Sequence, residues 1–214
     1  MIKGIIFDLD GVLVSTDEHH FQAWKMLAIE LGITGFTRAD NARQKGVSRM
    51  DSLEIVLEKS KRTYSDKEKE IFAERKNNMY IGLLQNLSSN AVLPGVIEVL
   101  TMLRERNILI GVGSVSKNAP LILDKTGLRQ YIDQISCGLD ITKSKPDPEV
   151  FLVAAKKLNL LPEQCLVVED ASAGIKAARA ANMPSLGVGP EYKQLGADYC
   201  SPDLNSKIDW NSIL

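Results

Sequence analysis

Short apolar runs alternate with amphipathic stretches over most of the 214-residue chain. Residues 2–7, IKGIIF, form a β-branched run that ends abruptly in acid, the pattern of a buried strand. Comparable runs recur at 108–112 (ILIGV), 165–168 (CLVV) and 185–188 (SLGV). Between them the period becomes helical. Pro94 opens a helix over 95–106 with Ile97, Leu100 and Leu103 on one face. Ser116 caps a helix that runs through 125 and stops at Gly127. Asp147-Pro148 supplies an N-cap and a first-turn proline for a helix to about Leu158, and 171–182 forms another, stopped near Pro184. This alternation predicts an α/β fold, a Rossmann-like parallel sheet with helices on both faces.

The segment 17–90 breaks the rhythm, because it holds no convincing strand. Residues 17–31 put Phe21, Trp24, Leu27, Ala28 and Leu31 on one stripe. Ser48-x-x-Asp51 opens a second helix, and Ser65-x-x-Glu68 is a capping box for a third, long one with Ile71, Met79, Leu83, Leu84 and Leu87 apolar. The pattern predicts an all-helical block, residues 16–90, inserted into an α/β core made of 1–15 and 91–214. Most of the charges in 65–76 read as a solvated helix face.

Composition adds limits. Lys+Arg is 26 and Asp+Glu 27, a net charge of −1, which argues against a whole-molecule nucleic-acid or membrane surface. No apolar stretch approaches the roughly 18–20 residues of a membrane span. Cys137, Cys165 and Cys200 are an odd, widely spaced set with no metal spacing, as expected of idle thiols in a reducing cytoplasm.

Ligands of open parallel sheets bind outside the carboxyl ends of the strands. Those ends carry Asp8-Leu9-Asp10-Gly11, then Gly113 to Asn118, then Glu169-Asp170; a further connection carries Lys143-Ser144-Lys145-Pro146. Carboxylates converging on one rim repel one another, and a cation would relieve them. Hard oxygen donors without His or Cys favour Mg²⁺. A metal beside Lys145 and Ser114 suits a phosphoryl group. Asp8 could then be a nucleophile and Asp10 a general acid. Each residue alone has a plainer reading: Asp170 and Ser116 as helix caps, Lys145 as a linker lysine, Asp-x-Asp as a turn. Neither a Walker A motif nor a dinucleotide fingerprint is present, and Gly11 falls too early for an EF-hand.

Phe7 to Val12, Ser114, Lys145-Pro146 and Val168-Glu169-Asp170 resemble, in order, the four motifs of the haloacid dehalogenase superfamily. The helical block is similar to the four-helix cap of its phosphoglucomutase-like subgroup. Within that subgroup the nearest likeness is to the β-phosphoglucomutases. It is carried by Thr16, by His20 and Trp24, by Lys45-Gly46-Val47-Ser48-Arg49 with Asp51-Ser52-Leu53, and by Ser114 to Asn118. The resemblance implies Asp8 as nucleophile and Asp10 as general acid/base. It implies Mg²⁺ held by Asp8, the Asp10 carbonyl, Asp170 and Glu169, with Ser114 and Lys145 on the transferring phosphoryl group. Arg49, Ser116 and Asn118 would hold a distal phosphate.

Two helix N-termini, after Ser48 and after Ser116, independently favour a second anion site. Without the resemblance, Lys45 and Arg49 are ordinary surface charges, His19 and His20 sit at a polar helix edge, Trp24 is core and Lys117 points outward. With it, His20 couples substrate binding to the general acid, and Lys76 works beside it. Residues 113–115 read Gly-Ser-Val where Ala-Ser-Ala is more typical, and 43–44 read Arg-Gln, a more basic approach to the loop. The implied enzyme is a cytoplasmic, monomeric mutase of small sugar phosphates, interconverting β-D-glucose 1-phosphate and glucose 6-phosphate; the neighbouring reading is a sugar-phosphate phosphatase. Neither nucleic acid nor membrane is an expected partner.

Overall fold

The computed structural model describes residues 1–44 and 46–214, so Lys45 lies outside the described residues. Six parallel strands form one sheet in the order β3-β2-β1-β4-β5-β6: β1 Gly4–Phe7, β2 Leu109–Gly113, β3 Gln134–Ser136, β4 Cys165–Glu169, β5 Ser185–Gly187 and β6 Tyr199–Cys200. The edge strands β3 and β6 have no counterpart in the apolar runs, since two or three residues are too few to show a period. Side chains of β1 alternate across the sheet. Ile5 and Phe7 join one core with α5 (Val96–Glu105) and α6 (Ala119–Thr126). Ile6 joins the other with α7 (Glu149–Lys157) and α8 (Ser172–Ala180). A last short helix, α9 (Trp210–Ile213), closes the first face through Ile213. The chain order reverses between β1 and β4, which are neighbours, and the Asp8 amide donates to the Val168 carbonyl at 2.9 Å across that junction. This is the position at which such sheets open a ligand crevice.

Among the described residues, four α-helices lie between β1 and α5: α1 Asp17–Glu30, α2 Arg38–Ala42, α3 Arg49–Leu57 and α4 Asp66–Leu84. They bury a core of their own, with Phe21, Trp24, Leu27, Leu53, Val56 and Phe72 among its members. Ser48 and Ser65 cap α3 and α4 as their motifs predict. The short α2 was not foreseen, although Thr37 and Asp40 form a full capping box and carry the signal. The two chain connections pair with each other: Ser15 N–H donates to Ala91 O at 2.8 Å and Leu93 N–H to Leu13 O at 3.0 Å.

Three local expectations need correction. Ile97 is 38% exposed, and α5 buries Val96, Val99, Leu100 and Leu103, because spacings of three and four keep to one face while 97, 100 and 103 drift around it. On α4, Ile71 is 44% exposed, and the buried stripe runs through Phe72, Ala73, Lys76, Tyr80 and Leu84. Its central member is a lysine, which a search for apolar residues passes over. Ser116 does not cap α6. Its hydroxyl accepts the Asn118 N–H at 3.2 Å in a turn before the helix, and Asn118 is the N-cap residue.

Gly113 explains one departure from the family pattern. A Cβ there would stand 2.7 Å from the Phe151 ring and 3.1 Å from Ile6, both fully buried. Gly113→Ala is expected to cost about 1–3 kcal/mol from overpacking. Thermal denaturation should show a drop of roughly 2–10 °C at this chain length, and adding Phe151→Leu should recover part of it. An unchanged melting temperature would count against the packing explanation.

Candidate active site

β1 and β4 deliver three carboxylates to one point. Oxygens of Asp8, Glu169 and Asp170 all lie within 4.8 Å of one another, and Asp8 and Glu169 are buried. Lys145, from the loop after β3, is buried among them. Its Nζ donates to Asp8 Oδ1 at 2.5 Å and Glu169 Oε1 at 2.7 Å and sits 4.7 Å above the Phe151 ring. The second Glu169 oxygen accepts the Ala171 N–H at 2.8 Å. Two glycines make room. A Cβ on Gly11, whose φ is +91°, would meet the Asp170 carboxylate at 2.2 Å, and one on Gly174 would meet Glu169 Oε1 at 1.8 Å.

The cluster is short of positive charge. Burial pushes the Asp8 carboxyl well above the usual range; Lys145 opposes this, and Glu169 and Asp170 add to it. Burial alone would lower Lys145, yet Asp8 and Glu169 hold its ammonium charged well beyond the ordinary lysine range. Three hard carboxylates around one ammonium fit a divalent cation of the Mg²⁺ type. Asp10, two residues past Asp8, accepts a hydrogen bond from the buried Thr16 hydroxyl. Burial raises its carboxyl, opposed by Thr16 and then Lys76, the direction that suits a group able to take and return a proton.

The helical block brings two cations, Arg49 and Lys76, to the cavity, along with the lining acids Asp17, Asp51, Glu70 and Glu74. His20 Nδ1 and Lys76 Nζ are 2.9 Å apart, and the imidazole packs on the Tyr80 ring at 4.1 Å. Lys76 Nζ lies 4.7 Å from the Trp24 ring and 4.6 Å from that of Tyr80. Burial and Arg49 lower the Lys76 ammonium to about 7, against the pull of Asp10. Burial, then Lys76 and Arg49, keep His20 neutral, well below its ordinary value. Arg49 opens α3 and donates to Asn77 Oδ1 at 2.9 Å, and Asn118 Nδ2 donates to the same oxygen at 2.9 Å. Ser114 Oγ accepts the Ser116 N–H at 3.1 Å, so the loop after β2 is built of successive side-chain turns.

All these groups line one cavity of about 980 Å³. Among the described residues, every site residue singled out in the sequence lines it, from Thr16, Gly46 and Ser52 to Lys117 and Asp170. Gly46 has φ +72° and a Cβ there would touch Ala171 at 3.4 Å, so the helical block rests on the loop after β4. Arg43 turns away from the cavity, pairing with exposed Glu58 at 2.7 Å, so its charge does not bear on the site. Gln44 does line the cavity and donates to Ser52 O at 2.9 Å. Sequence reasoning missed Asn77, Tyr80 and Gly174. Tyr80 stands one helical turn past Lys76, which is a usable signal; Asn77 and Gly174 have none.

A family model for haloacid dehalogenase-like hydrolases matches residues 2–182. The chain is 42% identical over 199 residues to the β-phosphoglucomutase of Bacillus subtilis, covering 92% of this chain and 88% of that one. It is 32% identical over 185 residues to a fructose-1-phosphate phosphatase of Escherichia coli K12, covering 86% and 95% respectively. A crystal structure of β-phosphoglucomutase from Clostridium difficile superposes with a TM-score of 0.92 at 40% identity, over 100% of this chain and 96% of that one.

The low value at Lys76 has a consequence for pH. An anion bound in the cavity raises the ammonium, so binding takes up a proton when the free enzyme has lost it, above about pH 7. Affinity for glucose 6-phosphate, measured by calorimetry, is expected to weaken at least about fivefold between pH 7 and 9. The second ionisation of the ester, near 6, lies outside that window. Lys76→Met should flatten the dependence; a wild-type slope in that variant would show that another group titrates.

Proposed function

The chain belongs to the haloacid dehalogenase-like hydrolase family and is a β-phosphoglucomutase-like phosphotransferase, and we propose that it interconverts β-D-glucose 1-phosphate and D-glucose 6-phosphate through an aspartyl-phosphate and a glucose 1,6-bisphosphate. One observation carries the choice of a mutase. The cavity that holds Asp8 also holds Arg49 and Asn118 aimed at a single oxygen, a second place for a phosphate. A mutase needs two anion sites, because its intermediate bears two phosphates.

In this reading residues 16–90 form the cap, hinged at its two paired connections, and 1–15 with 91–214 form the catalytic core. Asp8, the Asp10 carbonyl, Glu169 and Asp170 would hold Mg²⁺. When bound there, that ion would offset charge on the transferring phosphoryl oxygens and favour ionised Asp8. β-Glucose 1-phosphate binds with its phosphate on Arg49, Ser116, Lys117 and Asn118. Asp10 takes the proton of the 6-hydroxyl as that oxygen attacks the phosphorus on Asp8; the aspartyl O–P bond breaks and Asp8 is freed. The bisphosphate turns end for end. Asp8 then attacks the 1-phosphoryl group, Asp10 returns its proton to the departing oxygen, and glucose 6-phosphate leaves. Ser114 and Lys145 grip the phosphoryl group in both transfers. Neutral His20, held by Lys76, keeps an N–H available to the sugar side of the cavity. Closure of the cap keeps water from competing with the sugar hydroxyl. We also propose that the enzyme is cytoplasmic and monomeric; its cysteines are free, and among the described residues no helix is long and apolar enough to cross a membrane.

A sugar-phosphate phosphatase is the second reading, supported by the likeness to the E. coli enzyme. One incubation separates them: with Mg²⁺, β-glucose 1-phosphate and catalytic bisphosphate, glucose 6-phosphate rather than inorganic phosphate should accumulate. Asp8→Asn should abolish turnover of both kinds. Arg49→Ala is expected to lower kcat/KM for β-glucose 1-phosphate about 100-fold, two charge-assisted hydrogen bonds at roughly 1.5 kcal/mol each. It should leave hydrolysis of p-nitrophenyl phosphate, which has no distal phosphate, within twofold. Equal loss on both substrates would overturn the distal-site assignment.

A further inference from the structure

Asn77 belongs to none of the motifs, yet its side chain joins three segments of the chain. It follows Lys76 on α4 and is half-buried at the cavity wall. Its Oδ1 accepts Arg49 Nη2 at 2.9 Å, from the start of α3, and Asn118 Nδ2 at 2.9 Å, from the start of α6 across the cavity. The guanidinium has only donors, so the atom facing it is the carboxamide oxygen, and the Asn118 atom sharing that oxygen is then the amide nitrogen. Arg49 has little other compensation. The nearest carboxylate, Glu74, is 4.0 Å away and 65% exposed.

We infer that Asn77 is a positioning residue that occupies the distal phosphate site before substrate arrives, its carboxamide oxygen holding Arg49 and Asn118 together until a phosphate oxygen replaces it. The inference rests on the proposed function, which gives those donors to the distal phosphate. Two consequences follow from the chemistry. A neutral oxygen aligns a flexible cation without cancelling its charge, so Arg49 stays in place yet remains available to an anion. The same oxygen links the helical block to the α6 loop, so the cavity is closed around both anion sites before the exchange. A carboxylate at position 77 would grip Arg49 more tightly than the carboxamide does and would repel an incoming phosphate.

Asn77→Ala and Asn77→Asp test this in opposite ways. Asn77→Ala should fold, since alanine is favoured in a helix. It is expected to raise KM for β-glucose 1-phosphate about tenfold, the effect of two lost hydrogen bonds, while kcat/KM for p-nitrophenyl phosphate stays within twofold. Asn77→Asp should melt at or above the wild-type temperature yet raise that KM further than alanine does. A merely structural latch predicts the reverse order, with aspartate benign and alanine harmful. That order, or wild-type KM in both variants, would overturn the inference. Arg49→Ala is measured alongside. If it impairs only the sugar phosphate and the Asn77 variants do not, the inference alone fails; if it impairs neither or both substrates, the distal-site reading beneath it fails.

Discussion

A buried ammonium between two buried carboxylates holds the catalytic end of this molecule together. Lys145 reaches Asp8, just past the end of β1, and Glu169, the last residue of β4, so three separate strand ends and connections meet at one charge. Taking any one of these ions out leaves the others uncompensated in a low-dielectric place, at a cost on the order of 3–5 kcal/mol. The surrounding structure is shaped to keep them. Phe151 lies under the ammonium, the Ala171 amide takes the free Glu169 oxygen, and Gly174 leaves the space that the Glu169 carboxylate fills. A cluster bought at this price is poor at stabilising a fold and good at holding ionised groups where a phosphoryl group must sit.

Charge is arranged differently on the two sides of the cavity. On the sheet side Asp8, Asp10, Glu169 and Asp170 crowd the buried Lys145, and on the helical side buried Lys76 and half-buried Arg49 share the lining with Asp17, Asp51, Glu70 and Glu74, the last of these out at the surface. Burial, and then the repulsion between Lys76 and Arg49, bring Lys76 to about 7, and burial with Lys76 and Arg49 holds His20 well below its ordinary value. Either side alone is frustrated. In the proposed function a divalent cation would relieve the first and a phosphate the second, so that metal and sugar phosphate would complete the same space.

Much of this was legible in the residue pattern, for reasons that differ from place to place. Asp8 and Glu169-Asp170 could be read because buried strands end abruptly in acid, and the parallel sheet puts such ends on one rim. Ser48 and Ser65 could be read because a capping hydroxyl has a fixed offset from its partner. Lys76 could be placed only by resemblance: polarity assigns a lysine to solvent, and here aromatic rings and a neutral imidazole replace water around it. The α5 and α4 faces were misread at Ile97 and Ile71 because hydrophobic identity was weighed above angular position. Asn77 could not have been found, since its importance lies in two partners 28 and 41 residues away that only folding brings to it.

Mutase and phosphatase share the first half of their chemistry and part at the attack on the phosphorylated aspartate, where a sugar hydroxyl competes with water. What decides the outcome is therefore not the nucleophile but how completely the helical block covers the rim while both anion sites are occupied. Here the contacts of that cover include Gly46 against Ala171 and Asn77 against Asn118. The first is backbone beside a small side chain, where a Cβ would make ordinary contact with Ala171 at 3.4 Å, so it is the left-handed φ of +72° rather than lack of space that calls for glycine at 46. The second runs through the donors proposed for the distal phosphate. On that proposal the seal is already made when substrate arrives, and a phosphate at the distal site takes the place of the Asn77 oxygen within it, so a substrate lacking that phosphate leaves the Asn77 contacts as they were.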